Sequence, residues 1–199
     1  MGYSVAMESF ASLEKRWQEL LAASATNHIL LTPQWQRAWW QAFGRGRDLL
    51  LLSVQRDSEL MGVIPLMRQG ERISFIGRSD VCDYMDLVAR QGEEVAVLSQ
   101  LLDYIEPLDW DAIDLQSLLP HSLVLSHFVP LARQRGYLID ITKEDVSPEL
   151  VLPSALACCA RCSASGKASS GAKSASIYSE VPSAISPTSA VGMCRYTAV

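Results

Sequence analysis

Apolar residues at Phe10, Leu13, Trp17, Leu20 and Leu21, with charges between them, give Ser9 to Ala23 a helical period. Ser9 is placed to cap that helix. Thr32-Pro33 opens a second helix, a capping residue followed by proline in the first turn, and Gly44 closes it. Trp35, Trp39, Trp40 and Phe43 share one side of this helix. The period then shortens. Asp48 to Gln55, Glu59 to Met67 and Arg72 to Ile76 read as three strands joined at Asp57-Ser58 and Gln69-Gly70, an antiparallel meander.

Asp83 to Val88 reads as a further extended piece. Gly92 begins a helix with the stripe Val95, Leu98, Leu102 and Ile105, stopped by Pro107. Ala112 to Leu115 is a short buried strand. Ser122 to Arg135 is helical up to Gly136, with Pro130 kinking it or delaying its start. Tyr137 to Ile141 is a last strand. The predicted fold is a mixed α/β (α+β) sheet covered by helices. It is not a βαβ series, because hairpins link the first three strands.

The pattern fades at the end of the chain. Residues 1–153 hold 21 of the 22 acidic residues, 13 of the 17 basic ones and all five Trp. Residues 154–199 carry 11 Ser, 10 Ala and four of the five Cys, with no Trp or Phe. So few large apolar residues cannot offset the entropy of ordering that segment. It reads as a disordered Ser/Ala/Cys-rich tail or as a translation of another frame, and composition leaves both open. The expected folded unit is therefore residues 1–153.

The acidic balance argues against a nucleic-acid binder built on phosphate neutralisation. No apolar run approaches the roughly 20 residues of a membrane-spanning helix, and Met1 to Phe10 lacks the basic and apolar regions of a secretory signal. A cytoplasmic protein is expected.

Candidate chemistry is sparse. Cys159-Ala-Arg-Cys162 has the spacing of half a zinc site without a second pair, and His28, His121 and His127 stand apart, so no metal is expected. Cys82 reads as a small apolar residue. Gln41-Ala-Phe-Gly-Arg-Gly46 fits the Gln/Arg-x-x-Gly-x-Gly pattern with which acetyl-CoA-dependent acetyltransferases hold a pyrophosphate on backbone N–H groups. That use needs the loop at a helix N-terminus. Here it follows a helix C-terminus, so Gly44 reads as a cap. Asp80, Asp83 and Asp86 recur every three residues, as turn caps or as a general base in a partly dry site.

Six strings in order carry a resemblance: Leu31-Thr-Pro-Gln-Trp-Gln-Arg-Ala-Trp-Trp-Gln-Ala-Phe-Gly44, Leu60-Met-Gly-Val-Ile-Pro-Leu66, Phe75-Ile-Gly77, Asp83-Tyr-Met-Asp86, Trp110-Asp-Ala-Ile-Asp-Leu115 and Glu144-Asp-Val-Ser-Pro148. Over about residues 8–153 the chain resembles the GNAT-like acyltransferases of the CelD/BcsL group, named for cellulose biosynthesis and related to the FemAB-like transferases. The resemblance implies a GNAT-like domain and transfer of an acyl group from acetyl-CoA or another acyl-CoA to an amine or hydroxyl acceptor, without a metal. It implies two halves, the second containing the donor site, so that this chain is a truncated first half. Carried over by position, Asp83, Tyr84 and Asp86 are the candidate catalytic residues facing the interdomain cleft. The alternative is a non-catalytic protein-interaction module or an inactive remnant.

Overall fold

The structure, a computed structural model, describes residues 2–148 and 190–198, with side chains described over 2–144. The elements run β1 (Tyr3–Met7), α1 (Phe10–Ala22), α2 (Pro33–Phe43), β2 (Asp48–Arg56), β3 (Glu59–Gln69), β4 (Arg72–Phe75), β5 (Val88–Ala89) and α3 (Glu94–Ile105). They continue through β6 (Ala112–Leu118), a π-helical turn Val124–Phe128, α4 (Val129–Gln134), β7 (Ile139–Pro148) and β8 (Ala190–Ala198). Sheet order is β1-β2-β3-β4-β6-β8-β7, with β5 also on β3.

Local chemistry explains the starts and stops. Ser9 and Ser12 form a reciprocal capping box on α1, whose Phe10, Leu13, Trp17, Leu20 and Leu21 are buried. Thr32 accepts from the Trp35 N–H at the start of α2, with Pro33 in the first turn. Asp57 and Ser58 both take positive φ, the hairpin geometry that matches strand twist. Gly62 of β3 lies against α3, and a Cβ there would run into the Val97 side chain.

Four features differ from the sequence expectations. β1 was not expected; it pairs antiparallel with β2, Tyr3 opposite Arg56 through Met7 opposite Leu52. Its five residues bury little, so pattern alone does not reveal it. The buried face of α3 is Val97, Leu98, Leu101, Leu102 and Ile105, while Val95 is 52% exposed; the stripe is turned about one residue from the expected one. Pro130 has no N–H to donate, and the backbone upstream relaxes into the π-helical turn before α4. β7 runs to Pro148 because β8 lies beside it.

The expectation of an unstructured tail over 154–199 falls largely on residues outside those described. Its described part differs: Ala190–Ala198 is a strand, antiparallel to β6 with Leu115 opposite Tyr196 and Leu118 opposite Cys194. An unpaired β6 edge and a run containing Val, Tyr and Thr account for it.

The central event in the sheet is an interruption. The long β3 is paired first by β4, from Gln69 opposite Arg72 to Leu66 opposite Phe75, and later by β5, with Gly62 opposite Ala89. Residues 76–87 leave the sheet in between. β4 and β6 run parallel only from Arg72 and Ala112 to Ser74 and Asp114. Beyond that they diverge, and Met85 enters the gap, its N–H donating to the Ser117 carbonyl at 3.0 Å.

Candidate active site

Three connections meet at this end of the sheet: the loop from α1 to α2, the excursion before β5, and the loop from β6 into the π-helical turn. The first is latched to the second, because Thr26 donates to the Leu87 carbonyl at 3.4 Å and Ser24 forms a bridge with Arg90. Together they enclose a cavity of about 160 Å³ lined by Thr26, His28, Tyr84, Asp86, His121 and Ser122, among others.

Asp86 is its buried member, 5% exposed. One carboxylate oxygen accepts from the Leu87 N–H at 2.9 Å and the other from the Leu123 N–H at 2.8 Å, with the Val124 N–H as a further donor. A carboxylate offers about four acceptor positions, so one remains for a proton. Burial pushes the Asp86 pKa up to about 7, against the opposing pull of the Leu123, Leu87 and Val124 amides. Near neutrality this group exchanges a proton, as a general base must.

His28 stands opposite. Burial lowers its pKa, so the imidazole is neutral at pH 7. Its Nδ1 is buried without a hydrogen-bond partner among the described residues. Its ring meets that of Tyr84 edge-on, with centroids 6.3 Å apart. A neutral imidazole, a phenol and a carboxyl that titrates near neutrality thus share one small space.

Of the three candidate residues, Tyr84 and Asp86 line this cavity, whereas Asp83 is exposed and outside its lining. His28 and His121 were not singled out by sequence reasoning. They lie 56 and 37 positions from Tyr84 in the chain, and no spacing rule joins them. Asp80 is an exposed partner of Arg78 at 3.7 Å. Cys82 is buried, which pushes its thiol pKa up. Cys159 and Cys162 lie outside the described residues. Among the described residues no group of His, Cys, Asp and Glu is arranged to hold a metal ion, and no helix is long and apolar enough to cross a membrane.

A pyrophosphate would need unspent amides at a helix start. The Gly44 N–H donates to the Trp40 carbonyl at 2.8 Å, and any Cβ on Gly44 would meet that same carbonyl and the Trp40 ring. That string therefore closes α2. The α3 start follows a strand, as a phosphate-binding turn would, but carries Glu93 and Glu94. Glu93 accepts from Tyr3 and pairs with Arg56 at 2.5 Å, and these partners lower its pKa and keep it anionic. At the π-helical turn the amides of Leu123 and Val124 are taken by Asp86, and the starts of α1 and α2 are capped by Ser9 and Thr32. The described helix starts therefore do not fit a pyrophosphate.

No protein-family model and no curated protein matches the chain. Solved structures do. The ribosomal-protein-S18-alanine N-acetyltransferase from Escherichia coli superposes with a TM-score of 0.50 at 6% identity, covering 98% of this chain and 92% of that one. The diaminobutyrate acetyltransferase from Paenibacillus lautus, solved with L-2,4-diaminobutyric acid and coenzyme A, gives a TM-score of 0.50 at 9% identity, covering 99% and 95%. The chain has the mixed α/β fold of these GNAT-type N-acetyltransferases.

Proposed function

We propose that this chain is the acceptor-side domain of a GNAT-like acyltransferase, moving an acyl group from an acyl-CoA to an amine or hydroxyl. The observation that carries the reading is Asp86, a buried carboxyl poised near neutrality beside His28 and Tyr84 in a cavity formed by three loops just past the end of β6. As the acceptor's nitrogen or oxygen attacks the acyl carbon, its proton passes to the ionised Asp86 carboxylate, the acyl carbon–sulfur bond breaks, and the coenzyme A thiolate leaves and takes up a proton. The neutral His28 and the Tyr84 hydroxyl orient the acceptor. Asp83 sits at the exposed edge of the same excursion and serves the approach rather than the proton transfer.

The acyl-CoA is held elsewhere, because Ser9 and Thr32 cap α1 and α2, Asp86 takes the amides of the π-helical turn, and the negative charge of Glu93 and Glu94 stands at the start of α3. This agrees with the FemAB-related CelD/BcsL resemblance, in which a second half carries the donor site and residues 1–153 form the first. A role in cellulose biosynthesis rests on that family's name alone. An acyl-CoA donor suits a cytoplasmic location.

The test uses the full chain with acetyl-CoA and, separately, ethanolamine, which carries both an amine and a hydroxyl. Ethanolamine is expected to shift the NMR resonances of His28 and Tyr84, with no saturable coenzyme A binding at millimolar concentration and no thiol release. Thiol release by the chain alone would overturn the missing donor site. Silence toward ethanolamine would sink the acceptor site. A second reading, a protein-interaction module, is favoured by one observation: Trp35, Trp39, Phe43 and Val81 line an apolar hollow, with Phe43 50% and Val81 45% exposed.

A further inference from the structure

On the other side of Met85 lies a separate groove of about 290 Å³, whose lining includes Arg47, Arg72, Arg78, Ser74, Asp114 and Gln116. Three of the 13 basic residues among the first 153 converge on it, although that part of the chain is strongly acidic. Fixed positive charge in a concave polar site is otherwise a cost to folding, so the balance of partners matters.

Asp114 is a carboxylate in the lining. It is buried and accepts from Arg72 at 3.3 Å, as an ion pair, and from Gln116 at 3.0 Å. Arg47 directs one terminal guanidinium nitrogen to the Phe43 carbonyl and its Nε is buried out of a ligand's reach, while its other terminal nitrogen has no hydrogen-bond partner among the described residues. Arg78 reaches Asp80 at 3.7 Å through side chains that are 60% and 64% exposed, a pairing worth little in water. Two guanidinium groups therefore present donors that the protein itself leaves unspent. A guanidinium carries five N–H donors in a planar fork that matches an oxyanion.

We infer that this groove binds an oxyanion, the carboxylate or phosphate of a small molecule, through Arg47 and Arg78, with Arg72 held in place by Asp114. The site stands independently of the acyl-transfer reading, since it concerns neither Asp86 nor the donor.

The full chain is titrated by calorimetry with inorganic phosphate and, in a second arm, with succinate. Saturable binding of at least one is expected, weakened about tenfold by Arg47→Gln and severalfold by Arg78→Gln, as loss of a charge-assisted hydrogen bond predicts. Arg45→Gln, at an exposed position outside the groove, is expected to leave the affinity unchanged. Thermal melts of each variant confirm that it is folded. Phosphate alone binding identifies a phosphate-bearing ligand, and succinate alone a carboxylate. Absence of saturable binding at 10 millimolar, roughly the weakest affinity such contacts would give, overturns the inference. So does binding equally strong in Arg47→Gln and Arg78→Gln.

Discussion

Two carboxylates in this molecule sit at helix starts, and their environments drive them in opposite directions. Glu93, before α3, lies among Tyr3 and Arg56 near the surface, and the hydrogen bond from Tyr3 leads the interactions that lower its pKa. Asp86, before the π-helical turn, has amide donors but is almost fully buried, and its pKa rises to about 7. Both receive the favourable end of the helix dipole. Solvation decides the outcome: where water and a guanidinium remain available the charge is cheap, and where they are removed three amide hydrogen bonds do not compensate. The carboxylate at α3 is thus spent on a structural cluster with Tyr3 and Arg56, whereas the one at the π-helical turn caps backbone amides with a group suited to proton transfer.

The largest expected effect breaks the buried member. Asp86→Ala leaves the amides of Leu87, Leu123 and Val124 without their acceptor in a buried site. The expected loss is on the order of 3 kcal/mol, read from urea unfolding. Asp86→Asn keeps the shape and one acceptor oxygen, so about half that loss is expected. The pH dependence separates charge from packing. Below about pH 4 the carboxyl is protonated in both folded and unfolded chains. Between there and about pH 7 only the unfolded chain releases its proton, so this group makes stability fall as pH rises, and the contribution levels off above 7. His28, its pKa lowered from 6.5, works the other way: stability falls as pH drops below that value. A difference between wild type and Asp86→Asn that does not change between pH 4 and 7 would refute the raised pKa.

Next in size is a test of the scaffold that holds both helix starts. Gly62→Val places side-chain atoms where Val97 packs between β3 and α3. Overpacking of this kind costs about 2 kcal/mol, and the thermal midpoint is expected to fall without any change in pH profile. If the midpoint holds, α3 is free to move off the sheet and the Glu93 network is not rigidly seated.

How much of this was legible in the chain follows the same division. The helices α1 and α2 and the hairpins β2–β3–β4 were readable because each is specified within about 15 residues: Ser9 and Thr32 cap, Pro33 and Gly44 punctuate, and Asp57-Ser58 turns. Tyr84 and Asp86 were reachable through the resemblance, and the spacing of the carboxylates flagged Asp86 but could not choose it over Asp80 or Asp83. What distinguishes Asp86 is burial beneath Leu123, a contact across 37 positions. The same holds for His28 against Tyr84. β1 and β8 were missed because each depends on a partner strand rather than on its own apolar pattern. Nothing local in Arg47, Arg72 and Arg78 announces a groove.

The smallest effect is expected at the exposed helix start, and it sharpens the contrast by its pH and salt behaviour. Arg56 pairs with Glu93 and its guanidinium carbon lies 5.8 Å from the centre of the Tyr3 ring, so the cluster ties β1 and β2 to α3. Glu93→Gln keeps an acceptor for Tyr3 while removing the charge. Because partners lower the Glu93 pKa, its contribution is present above the ordinary carboxylate range and lost as pH falls through the folded value. The direction is opposite to that of Asp86. A melt series from pH 3 to 7 at low salt, roughly 0.01 M, and again at about 1 M is therefore expected to show a small loss for Glu93→Gln that fades in acid and in salt. The Asp86→Asn difference should resist salt, since its charge lies beyond the reach of the ions. Equal salt sensitivity at the two sites would mean that water reaches Asp86, and the buried proton acceptor on which the acyl-transfer reading depends would go with it.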